Sequence, residues 1–93
     1  MPAYVLEVTT WTFEGPNSAA AVRDLLWPAL QADPDYENPI VDAVNGHTIH
    51  VTTTFTTPGS AVNAMGFLSG RIADASQDAG VQYPGLREIS ATT

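Results

Sequence analysis

Two segments, TFEGPNSAA (Thr12–Ala20) and TFTTPGSAV (Thr54–Val62), write one phrase twice. Threonine, phenylalanine, proline, serine and alanine recur in the same order, each displaced by the 42 positions that separate Phe13 from Phe55. An alternating segment precedes each copy and a helical pattern follows it. A strand-to-helix junction made twice implies two β-α-β halves that share one punctuation scheme.

The remaining pattern agrees. AYVLEVTTWTF (3–13) is rich in β-branched and aromatic residues and reads as a strand. Gly15-Pro16-Asn17-Ser18 offers a helix start, with Pro16 in the first turn and Asn17 or Ser18 as cap. Ala19, Val22, Leu25, Leu26 and Ala29 share a helical face up to about Ala32. Pro28 within it removes a hydrogen bond toward Asp24 and predicts a kink or early break. ADPDYENP reads as a polar connection, IVDAV as a second strand and Asn45-Gly46 as a hairpin turn.

HTIHVTTTFTT follows as a third strand, with Ile49, Val51, Thr53 and Phe55 on one side. A three-residue loop Val44-Asn45-Gly46 would pair Val41 with Ile49 and Ala43 with His47, keeping Asp42 out of the core. Thr57-Pro58 opens a second helix with Ala61, Met65, Leu68, Ile72, Ala75 and Ala79 at helical spacing, ended by Gly80. LREISA supplies a last strand. The expected architecture is therefore α+β: a ferredoxin-like βαββαβ sandwich over residues 1–93, one domain, with an antiparallel sheet of order 4-1-3-2 and both helices on one face.

Charge narrows the function. Ten acidic residues face three arginines, Arg23, Arg71 and Arg87, for a net charge of −7, so nucleic acid and acidic membrane surfaces are not expected partners. Cysteine is absent, which removes disulfides and thiolate chemistry. The N-terminal MPAYVLEVTT lacks a signal-peptide pattern and no apolar run is of spanning length, so a cytoplasmic protein is expected. The absence of lysine beside abundant alanine and threonine suggests a GC-rich genome or a phage of such a host.

No catalytic constellation stands out. His47 and His50, three apart on a strand, point to opposite faces and cannot share a metal. Asp33, Asp35 and Glu37 space like the start of a calcium loop, but its glycine and twelfth-position glutamate are missing. No metal or cofactor is therefore expected, and His50 is the best single general-base candidate.

Misplaced apolar residues say more. Phe67 falls about 140° and Trp27 about 120° from the centres of their helices' apolar faces, and Arg71 lies beside Phe67, so Trp27, Phe67 and Arg71 are candidate partner-binding anchors. Gly66 and Gly70 would let the two helices approach closely. In the first strand Val5, Thr9, Trp11 and Phe13 share one parity while Tyr4, Leu6 and Val8 share the other, so an apolar strip is left on the open sheet face. Phe13 and Phe55 then match only if the first strand bulges or a second subunit covers that face.

Stacking two such sheets makes a homodimer of the dimeric α+β barrel kind, with Trp11, Phe13 and His50 at the dimer face or a pocket. The leading expectation is a small acidic homodimer acting as a non-catalytic protein-interaction or regulatory module. The alternatives are an enzyme or small-ligand carrier that resembles the cofactor-free dimeric α+β barrel monooxygenases and isomerases, with Trp11, Tyr36, His50 and Tyr83 available to a pocket, and a structural subunit of a larger assembly. A closed apolar pocket between sheet and helices would favour the enzyme.

Overall fold

Alternation in the first and third apolar runs produces the two central strands. The computed structural model describes residues 1–93, and the elements are β1 (Ala3–Thr10), α1 (Ser18–Ala32), β2 (Tyr36–Val44), β3 (Thr48–Thr56), α2 (Ala61–Asp78) and β4 (Leu86–Thr92). All strand pairs are antiparallel in the order β2-β3-β1-β4, the expected 4-1-3-2 read from the other edge. Leu6 and Val8 of β1 and Ile49, Val51 and Phe55 of β3 turn to one face. There they meet Val22, Leu26 and Leu30 of α1 and Ala64, Leu68 and Ile72 of α2 in a single core. Burying each large aliphatic side chain contributes about 1.5–3 kcal/mol, so this layer is the main source of stability. Thr10 is also fully buried; its hydroxyl accepts the Ile49 N–H at 2.9 Å and so keeps that amide partnered where β1 ends.

Several local expectations change. The second strand starts at Tyr36, inside the segment read as a connection, because β2 carries a bulge between Glu37 and Ile40. Asn38 takes up the extra residue with φ of 49°. The bulge switches parity, so Tyr36 and Val41 both face the core although five residues separate them. The hairpin loop is Asn45-Gly46-His47, and Val41 pairs with Val51 and Ala43 with Ile49. Asn45 and Gly46 have φ of 55° and 73°, and the His47 N–H donates to the Val44 carbonyl. The His47 carbonyl accepts the Phe13 N–H at 2.8 Å, which draws His47 out of the ladder.

Helix starts also differ between the two copies of the phrase. Ser60 caps α2 by accepting the Asn63 N–H, while the Thr57 hydroxyl accepts the Gly59 N–H in the turn ahead of it. Asn17 sits at the start of α1 without a side-chain cap, and the Ser18 hydroxyl donates backwards to the Glu14 carbonyl. α1 continues through Pro28 to Ala32, since Leu26 and Leu30 on either side of it are both fully buried and hold the two halves to the sheet. Gly66 and Gly70 do not seat α1, because a Cβ on either would meet open space.

The phenylalanine puzzle resolves without a bulge in β1 or a covering subunit. β1 ends at Thr10, so the parity argument stops there. Trp11-Thr12 leaves the ladder and Phe13, 1% exposed, folds back into the same core as Phe55. Phe13 is therefore a core residue and unavailable to a dimer face or pocket. The register shift between Thr9 and Thr10 is absorbed in β4, where Arg87 is the extra residue. The open face consequently lacks the expected apolar strip. It presents Val5, Ile40 and Val44 among Thr9, Thr48, Thr52, Thr54 and four carboxylates, Glu7, Glu37, Asp42 and Glu88.

Candidate functional site

The bulge that turns Tyr36 inward builds the most developed cleft. It opens at the end of the sandwich where β2 begins and β3 finishes, between the core face of the sheet and the helices, with a volume of about 290 Å³. The Asp35 carbonyl accepts the Thr56 N–H at 3.0 Å and ties the two strand ends together. Tyr36 and Phe55 stack with ring centres 4.5 Å apart, and Phe67 of α2 stands 6.0 Å from Phe55, so three aromatic rings form the wall. Arg71, one turn along α2 from Phe67, places its guanidinium 5.9 Å from the centre of the Tyr36 ring. Asp33, at the end of α1, pairs with that guanidinium and accepts the Asp35 N–H at 3.0 Å.

The side chains of this cleft set one guanidinium against two carboxylates. Arg71 is held by Asp33, and Asp35 adds a second carboxylate at the rim. Burial pushes the Tyr36 phenol above its ordinary value; the Arg71 guanidinium pulls it down and the Asp33 carboxylate pushes it up again. Burial likewise raises Tyr83, whose hydroxyl shares a 2.9 Å hydrogen bond with Ser69 that acts the other way. Both phenols are thus proton donors at neutral pH.

An alkaline prediction follows from these two tyrosines. Their folded values lie above the unfolded one of about 10, so their stabilising contribution is complete below that pH and is lost as pH rises through the folded values. Phenolate absorbance should show Tyr36 and Tyr83 ionising later than free tyrosine, with the urea midpoint falling across the same window. Loss of both protons at the free-tyrosine pH would contradict the burial seen here.

Other candidate residues lie elsewhere. His50 is on the open face, where its Nδ1 is 2.9 Å from the Thr9 hydroxyl and its Nε2 is 3.4 Å from Glu7, so the sheet separates it from the cleft. Trp11 is at the opposite end of the sheet; its backbone N–H donates to the Gly85 carbonyl and its ring centre lies 5.9 Å from the Arg87 guanidinium. Trp27, 47% exposed, borders a separate groove with Arg23 and Val41 on the β2 flank. Trp27 and Phe67 therefore open into different grooves and make no common anchor patch. Of the five residues assigned to a pocket, Trp11, Phe13, Tyr36, His50 and Tyr83, Tyr36 alone lines this cleft.

Asp33 and Phe55 were missed as site residues. Asp33 lies 38 residues before Arg71 in a stretch with the composition of a solvated loop, and Phe55 has the alternation of an ordinary core residue.

No protein-family model and no curated protein matches this chain. Among solved structures, a Chloroflexus aurantiacus J-10-fl protein bearing the provisional name antibiotic biosynthesis monooxygenase aligns over 99% of this chain and 92% of its own, at 15% identity and a TM-score of 0.59. The two share a fold. That fold is the ferredoxin-like βαββαβ sandwich, and no helix of this chain is long and apolar enough to cross a membrane.

Proposed function

We propose that the Tyr36–Phe55–Phe67–Arg71 cleft is a small-molecule site and that the protein is an enzyme of the cofactor-free monooxygenase type. The observation that carries this reading is the cleft itself: three aromatic rings, one guanidinium and one protonated phenol converge between sheet and helices. Support comes from the shared fold with a protein named as a monooxygenase. The cleft volume suits a two-ring planar molecule, and an aromatic wall favours stacking over hydrogen-bond readout.

An electron-rich dihydroxyaromatic is the substrate class that fits. Such a molecule supplies its own electrons to dioxygen. One oxygen atom enters a ring C–H position, the other leaves as water, and the two hydroxyl-bearing carbons become carbonyls, so a naphthohydroquinone gives a hydroxynaphthoquinone and water. Arg71 would hold the oxyanion of the substrate, and the Tyr36 phenol would donate a hydrogen bond to the developing carbonyl oxygen. Titration with hydroxynaphthoquinone, followed by amide chemical shifts, should perturb Tyr36, Phe55, Phe67 and Arg71, and naphthohydroquinone should speed dioxygen uptake above its spontaneous rate. Shifts confined to the open face around His50, or none, would reject this reading.

A further inference from the structure

We infer that a second copy of this chain docks on the flank formed by α2 and β4, pairing the two β4 strands edge to edge. β4 is a seven-residue edge strand whose only neighbour is β1, so its outer backbone groups have no partner within the chain. The other edge is less open to addition: β2 carries Pro39, which has no N–H to donate, inside a bulge that breaks its register, whereas the irregularity of β4 lies at its start, at Arg87. Beside the free edge lies a groove of about 290 Å³ lined wholly by apolar residues, Ala61, Val62, Met65, Ile89 and Ala91. Val62 is 79% and Ile89 61% exposed, although Ile89 sits opposite Val8 on the core side of the sheet. α2 is displaced so that this inward-facing isoleucine is left uncovered.

Charge selects the occupant. Each copy carries −7, and sheet-to-sheet stacking would bring two sets of Glu7, Glu37, Asp42 and Glu88 together, offset only by His50 beside Glu7 and by Arg87 paired with Glu88, which leaves Glu37 and Asp42 uncompensated. The α2/β4 groove has no charged residue, so two copies meet there with the least repulsion. The β4 sequence is also self-complementary. A twofold axis at Ile89 sets Ile89 against its equivalent, Glu88 against Ser90 and Arg87 against Ala91, with no like charges opposite one another. An axis at Glu88 would oppose two carboxylates directly. With the axis at Ile89, Ile89, Val62 and Met65 of both copies close one apolar seam above an eight-stranded sheet.

Sedimentation at tens of micromolar tests this with three proteins. The unaltered chain should sediment as a dimer. Ile89→Glu, which places two carboxylates at the axis, should weaken the dimer at least ~100-fold, whereas Thr54→Glu on the open face should leave it intact. A monomeric unaltered chain, or a dimer that survives Ile89→Glu and is lost in Thr54→Glu, would overturn the assignment. Should Ile89→Glu not fold, hydrogen exchange of the unaltered chain decides. Outer-edge β4 amides should be protected at high concentration and exposed on dilution, and protection independent of concentration would count against the interface.

Discussion

Replacing Phe13 with alanine should cost about 3–5 kcal/mol of folding free energy, a large share of the total for this chain. At about 0.05–0.15 kcal/mol per residue, 93 residues hold roughly 5–14 kcal/mol, so the variant should sit near its folding threshold at physiological temperature. Phe13 is 1% exposed, lies in the single core, and its amide is fixed to the His47 carbonyl, so truncation would open a cavity inside that core. Phe67→Ala should cost under about 1 kcal/mol, because Phe67 is 59% exposed and touches the fold chiefly through Phe55. Urea unfolding of the two variants side by side measures the contrast. Equal losses would mean that Phe13 does not pack as described.

Those two phenylalanines also show what a sequence discloses and where it stops. Strand alternation and helix spacing depend on near neighbours, so the order βαββαβ, the core face of β3 and the exposure of Phe67 could be read from local pattern alone. Phe13 could not, because its orientation depends on where β1 stops. That end is fixed by the Thr10 hydroxyl and the His47 carbonyl, contacts with residues more than thirty positions away. The cleft was hidden for the same reason. Tyr36 turns inward only because Asn38 adopts a left-handed conformation within a bulge, and Asn-Pro in a polar stretch has the chemistry of a loop. Arg71 was visible as a cation near an exposed aromatic ring, but its partner Asp33 was not, since their pairing is a product of helix packing.

That ion pair sets the sign of the strongest prediction about the site. Arg71→Met should weaken hydroxynaphthoquinone binding by about 10–150-fold, the equivalent of one charge-assisted hydrogen bond worth about 1.5–3 kcal/mol. The substitution also leaves Asp33, whose side chain is only 19% exposed, without its counter-ion, so the cleft becomes more hostile to an anion. Tyr36→Phe removes a neutral donor and should weaken binding by about 2–12-fold. Asp33→Asn tests the balance from the other side: it frees the guanidinium from its internal partner and should tighten the same ligand. Calorimetric titration of the three variants, with circular dichroism to confirm folding, gives the comparison. If Arg71→Met and Asp33→Asn shift affinity in the same direction, Arg71 acts as a structural clamp between α2 and the end of α1, and the ligand's charge is read elsewhere.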